Sequence, residues 1–480
     1  MVDTDRPRFR GDLIVCGVFA VCAVGWFAAQ HAGSLYDDAY IYFRYVDSLA
    51  RGCGLRFNCA DPPVEGFSSP LYLALLWVLH ALGGALDELA LTIGTLALAL
   101  AIFVAAVIAR RATRSSLVAL GVTLVLCADH DLLLNAVTGL ETGLAICAVT
   151  LLAWSALGSG RGFSALVLVA LDCRPEAAVF AATALLDARF RRARVLAVIA
   201  GGLALLTLWR WVSFHDVLPN TYWAKAGGTL THARLGLSYL GEAVITFPAL
   251  FFAPLVLFAR DLRPRATPLL VGAALWSLSM LRTGGDHFQY ARLLAPLVPA
   301  ATAFAAIGLC ALARDVSATA LLCASALWTF HAHAIPPQHG FDNVRRWQRV
   351  GEWLAARHPG ASVATVPIGA ISYFSGARVI DLVGLTVRDI AHSGSSVPEE
   401  QLSRQWLGHE RHDTAWVLQQ EPDLVVMTKW RATPWTLAEA KAGFWAELLL
   451  LREVKSGRAP YDVVDAELEP GVHWLVLQRR

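Results

Sequence analysis

Charge is what this sequence has least of. Asp, Glu, Lys and Arg make up 16% of its 480 residues, against roughly 25% in soluble domains, which excludes an ordinary cytosolic enzyme and a disordered chain. Lysine is scarcer still: it occurs only at Lys225, Lys429, Lys441 and Lys455, so nearly all of the 40 cations are arginine. A net charge of +2 with no basic stripe leaves no case for nucleic acid. Internal repeats, heptad runs and low-complexity tracts are also lacking. Nine cysteines in a chain this long do not make a small disulfide scaffold.

What is present in excess is apolar surface: 56% hydrophobic residues and a mean hydropathy of +0.51, more than a soluble core can hide. The excess lies in residues 12–332, as Leu/Ala/Val-rich blocks near bilayer-spanning length. Blocks at 12–31, 89–109, 116–133, 138–157, 163–173, 175–187, 195–213, 239–259, 266–281, 290–312 and 315–332 predict about eleven spans. Arg6, Arg8 and Arg10 precede the first block, which has no small-residue cleavage site and reads as a retained anchor with the N-terminus inside. The dense arginine clusters at 110–114, 189–194 and 260–265 then all fall on the cytoplasmic side. That agreement requires residues 70–84 to be re-entrant or interfacial, within an external loop at 32–88. Arg174-Pro175-Glu176 separates two short blocks and predicts a broken hairpin.

A boundary near Ile335-Pro336-Pro337 divides a membrane domain, 1–334, from a soluble tail, 335–480, placed on the outer face by the odd span count. The tail predicts a small α/β domain: a helix over 343–358, strands at 362–366, 379–383 and 424–427, a helix over 437–449, and closing strands at 461–464 and 473–477. The fold class is thus a polytopic α-helical membrane protein with a small C-terminal extracytoplasmic α/β domain.

Most cysteines sit inside apolar blocks as small buried hydrophobes. Cys53 and Cys59 lie in the external loop, where a disulfide and two free thiols are both open. No second pair suggests zinc.

The informative polar residues gather at the outer ends of the spans, where each is costly unless it lines a cavity or meets a partner. Asp37-Asp38 follows the first span and reads either as a general base with a partner or as a helix cap. Arg44 and Glu65 share that loop. Its tyrosines (Tyr36, Tyr40, Tyr42, Tyr45) form an interfacial belt or a sugar-stacking surface. Glu141 starts a span as a first-turn acid or a site residue, and Arg174 with Glu176 reads equally as a structural ion pair or as substrate contacts. Lys225, the only lysine of the membrane portion, follows Asn220 on the outer side, where a point charge suits phosphate. Gly284-Gly285-Asp286-His287 with Arg292 forms a second such loop. His215, His331 and His333 lack metal-like spacing.

Asp37-Asp38-Ala39-Tyr40-Ile41, Phe43-Arg44-Tyr45, Val64-Glu65-Gly66-Phe67, Gly139-Leu140-Glu141-Thr142, Arg174-Pro175-Glu176, Leu218 to Lys225 and Gly284-Gly285-Asp286 together resemble the polytopic GT-C glycosyltransferases. The branch is that of the terminal β-(1→2)-arabinofuranosyltransferases of cell-wall arabinan. The resemblance covers nearly the whole chain, Gly369 to Phe374 and Asp381 to Leu385 of the tail included. It implies a multi-pass cell-membrane enzyme that moves a sugar, arabinofuranose in that family, from a polyprenyl-phosphate donor to a cell-envelope glycan acceptor on the outer face. By that resemblance Asp37 or Asp38 is the acid/base; Arg44, Lys225 and Arg292 take the phosphate; Glu65, Glu141, Asn220, Asp286 and His287 hold sugars. No cofactor is required, although a divalent metal at the aspartates is compatible with the chemistry. The chain is shorter than those enzymes in its external tail, which leaves the sugar and acceptor open. The competing readings are a lipid-linked sugar flippase or solute transporter, and a non-catalytic assembly factor with a GT-C-like shell. Transporters place charge near the midplane in repeated halves, whereas here charge gathers at one boundary.

Overall fold

The computed structural model describes residues 11–480 except 226, 289, 314–316, 318, 321, 323 and 325–338. The predicted span at 315–332, the Ile335-Pro336-Pro337 boundary and Arg6, Arg8 and Arg10 fall largely or wholly outside the described residues.

The chain is mostly helical, with a small C-terminal α/β region. Gly11–Gln30, Leu86–Thr113, Ala193–Phe214 and Ala295–Leu312 are long and apolar enough to cross a membrane. Two bent pairs raise the number to six if each counts as one span: Ser116–Ala128 with His130–Val137, bent by 64°, and Leu230–Thr246 with Pro248–Phe258, bent by 93°. Both bends have local causes. Asp129 leaves the helical region, and its carboxylate accepts from Leu132 N (3.0 Å), ending one helix and capping the next. Pro248 cannot donate the bond that would continue its helix through Phe247.

Of the remaining predicted blocks, 266–281 lies in a continuous 21-residue helix, Arg263–Thr283, and the others are shorter or broken. Thr142–Leu157 has 16 residues and Phe163–Cys173 has 11. The block at 175–187 is a 3-10 turn, Pro175–Ala177, then Ala178–Thr183, then Ala184–Leu186. The apolar stretch at 70–84 forms a 12-residue helix, Pro70–Ala81, capped by Ser69. Small residues let the helices approach: a Cβ on Gly94 would overlap the Ala136 carbonyl.

The C-terminal region is built on a five-stranded sheet: β1 (Ser362–Thr365), β2 (Arg378–Asp381), β5 (Leu424–Arg431), β6 (Tyr461–Glu469) and β7 (Val472–Arg479), in the order β2-β1-β5-β7-β6. Strands β1, β2 and β5 are parallel and β7 is antiparallel to both its neighbours. Short strands β3 (Ser395–Ser396) and β4 (Arg411–His412) pair separately. Alternation along each strand sends side chains to two cores. Ala364, Ile380, Val425, Met427, Leu475 and Leu477 pack with the helix Trp445–Lys455. Val363, Val379, Val426, Trp474 and Val476 face the other way.

That second core is not private to the tail. It also contains Leu35, Tyr40, Phe43, Tyr45, Phe57, Phe67 and Tyr72 from the region between the first and second long apolar helices. The final helix begins at Trp445 rather than near 437, because the buried carboxylate of Glu447 accepts from Gly443 N (2.7 Å) and Phe444 N (3.2 Å) and so sets the N-terminus there.

Candidate functional site

The sequence places Asp37-Asp38 at the start of a 14-residue helix, Asp37–Ala50, whose face carrying Ala39, Tyr40 and Phe43 is buried. That helix lies parallel to Ile368–Ser375 of the tail. At one end both Asp37 oxygens are taken: Oδ2 accepts from Gly369 N (2.9 Å) and Oδ1 from Ala370 N (2.8 Å), an anion on a helix N-terminus. Gly369 is required there, because a Cβ would overlap the Asp37 carbonyl oxygen. At the other end, two turns on, Arg44 Nη2 donates to Ala377 O (2.9 Å) and Nε to Phe57 O (3.1 Å). Arg44 therefore sits just beyond the C-terminus of the same helix, tied to Ala377 O and to Phe57 O of the first loop, and does not line the cavity described next.

Asp38 is turned differently. It lines a cavity of about 240 Å³ between the loops of the membrane portion and the tail, and no described residue hydrogen-bonds its side chain. Tyr36, Ile41, His287, Phe288 and Tyr290 form one part of the wall; Trp347, Pro367, Leu385, His409 and Phe444 form another. Burial raises the Asp38 carboxyl above its ordinary range, against the pull of Arg292, His409 and Lys225, so it is a stronger base than a solvated aspartate. Burial also pushes Asp37 up to about 7 despite its two amide donors.

Beside the cavity, Arg292 Nε donates to Asp286 Oδ2 (2.9 Å), and its guanidinium lies 4.2 Å from the centre of the Phe288 ring. Burial works to raise Asp286, but Arg292, His287 and Lys225 outweigh it and hold the carboxylate well below the usual range. His287 is pushed down to about 3 by burial and by His409. It is a neutral imidazole at ordinary pH, so its 3.4 Å approach to Asp286 is not an ion pair. Lys225 Cε stands 3.7 Å from where a Cβ on Gly408 would be. The loop is braced from the tail by Arg404, which donates to Asp286 O (3.2 Å) and Phe288 O (3.2 Å) and pairs with Glu242. From the membrane side, Asn135 Nδ2 holds Tyr290 O (2.9 Å) and Thr138 O accepts from Tyr36 N (3.0 Å).

The structure thus gathers Asp38, Lys225, Asp286, His287 and Arg292 around one site and distributes the other sequence-derived candidates elsewhere. Glu65 is locked to Arg210, with Nε to Oε2 at 2.9 Å and Nη2 to Oε1 at 3.1 Å. Burial nonetheless lifts Glu65 to about 7. Asn220 donates to Gly384 O (2.7 Å) and Leu385 O (2.9 Å), tying the Lys225 segment to the tail. Glu141 accepts from Tyr42 (3.1 Å) and pairs with Arg174 (3.2 Å), which also donates to Thr142. Arg174 thus bridges two separate motifs rather than pairing with Glu176, whose Oε2 is buried without a hydrogen-bond partner. Cys53 and Cys59 form a disulfide. Among the described residues no group of three or more His, Cys, Asp or Glu could hold a metal ion.

Sequence reasoning missed Arg210 and His409. The first carried a signal, since it is an arginine within an apolar block. The second lies in the C-terminal α/β region, where one histidine among polar residues stands out from nothing.

Residues 339–464 match the family model described as Domain of unknown function (DUF8728). No curated protein matches the chain.

Proposed function

We propose that this chain is a GT-C-type glycosyltransferase that moves a sugar, arabinofuranose by resemblance, from a polyprenyl-phosphate donor to a hydroxyl of a cell-envelope glycan on the outer face of the membrane. In this reading the apolar blocks make about eleven crossings of a bilayer, the N-terminus is cytoplasmic, and the tail is extracytoplasmic. The observation that carries it is an unengaged, basic carboxylate, Asp38, in one aromatic-lined cavity, within electrostatic reach of two cations beside it, Lys225 and Arg292. Transfer of this kind needs those groups together.

The acceptor O–H breaks and its proton goes to Asp38. The acceptor oxygen bonds the anomeric carbon, and the carbon–oxygen bond to phosphate breaks with its electron pair on the phosphate oxygen. Lys225 and Arg292 offset that charge, and Asp286 fixes the direction of the Arg292 fork. Asp37 serves as a clamp on the tail. The aromatic wall suits the faces of a sugar ring.

The test is transfer by purified protein from a polyprenyl-phosphate arabinofuranose to an arabinan oligosaccharide. Asp38→Ala should lower turnover by about 10²–10⁴-fold. Full turnover by Asp38→Ala sinks the assignment.

A further inference from the structure

The tail does more at this cavity than close it. Its Gly408-His409-Glu410 turn enters the charged group directly: Gly408 takes a left-handed φ of 80° and faces Lys225 and His287. The His409 ring packs edge-on to His287, with centroids 4.7 Å apart, and against Phe444 at 5.3 Å. It lines the same cavity as Asp38. Its Nδ1 is buried without a well-formed hydrogen bond, a costly state for a ring nitrogen, although the Leu407 backbone carbonyl lies close enough to favour the protonated ring. Burial lowers its pKa, so the ring is neutral, able to accept at one nitrogen and donate at the other. The charged groups facing it are Asp38, Lys225 and Glu410, with the neutral His287 ring beside them.

Resting on the glycosyltransferase reading, we propose that His409 is a catalytic residue of the transfer, supplied by the tail, whose open ring N–H donates to a lone pair of the acceptor oxygen while Asp38 takes the hydroxyl proton. The ring holds the oxygen lone pair in line with the anomeric carbon. It carries no net charge through the step, so the proton and electron balance given above is unchanged. The neutral ring also adds no cation that would blunt Asp38 as a base.

The experiment compares wild type, His409→Ala, His409→Gln and the control His412→Ala, which lies on β4 away from the cavity. Initial rates are measured against arabinan acceptor from pH 5 to 9 at saturating donor, with thermal unfolding as the check on folding. Expected is a loss of at least about tenfold in kcat for His409→Ala, partial recovery in His409→Gln, whose amide can still hydrogen-bond, and wild-type rates in His412→Ala. Wild-type rates in a folded His409→Ala, or equal losses in His409→Ala and His409→Gln with unchanged pH profiles, overturn the role of His409 while leaving that of Asp38 intact. No transfer by the wild type, with donor and acceptor shown intact, overturns the glycosyltransferase reading and this inference with it.

Discussion

Asp37 and Asp38 are neighbours in the chain with separate fates. One spends both oxygens on backbone amides of Gly369 and Ala370, and the other faces open space. This division makes a prediction about pH. Asp37 is raised from 3.8 to about 7 in the folded chain, chiefly by burial. Between those values the folded state holds a proton that the unfolded state has released. Its contribution to stability is therefore complete below 3.8 and is lost as pH rises through about 7. Asp37→Asn abolishes that titration, so its melting temperature should change less between pH 4 and 7 than that of the wild type. Parallel curves would show that Asp37 is not the group responsible.

The pair itself was legible in the sequence, and so was Lys225, a lone lysine on a predicted outer end. The division of roles was not, because the partners of Asp37 lie 332 and 333 residues away. The partners of Arg44 and Glu65 were illegible for the same reason. A charged residue in a loop announces that it needs a partner, but the partner decides whether it serves chemistry or architecture, and Ala377 and Arg210 are remote in sequence.

At the scale of elements, the helix Ile368–Ser375 is held at both ends by one helix of the first loop. Seven residues from Asp37 to Arg44 rise about 10.5 Å, close to the roughly 12 Å length of an eight-residue helix. An acid therefore meets its N-terminus and a guanidinium the carbonyls just past its C-terminus. Gly369→Ala should wedge the two apart, costing about 1–3 kcal/mol and lowering the melting temperature. An unchanged melting temperature would show that the helices do not need this approach. Element positions were well signalled where period and composition agreed, as in the first long helix and strands β1, β2 and β7. They were poorly signalled where a side chain overrode pattern. Asp129 and Pro248 bend apolar runs that read as straight, and Glu447 moves a helix start toward the C-terminus.

For the whole molecule, the sequence separates a membrane domain from a tail by composition, yet the structure runs a single apolar core through the first loop and one face of the tail's sheet. Composition reports the solvent of a segment, not whom it packs against. If the tail is outside, protease added to intact spheroplasts should remove a C-terminal tag and spare an N-terminal one. Protection of the C-terminal tag would reverse the proposed orientation.

The loop that carries the disulfide also borders the sheet: Asn58 Nδ2 donates to Val379 O (2.8 Å) and Oδ1 accepts from Val379 N (3.1 Å), as a neighbouring strand would, while Asp61 holds Arg378. The consequence is one of timing. At ordinary rates of synthesis the 321 residues between Asn58 and Val379 take roughly 15–60 s to appear. Through that interval the first loop has apolar side chains and an orphaned amide but no partner. The Cys53–Cys59 bond confines the loop, and a segment made long after it completes its hydrogen bonding.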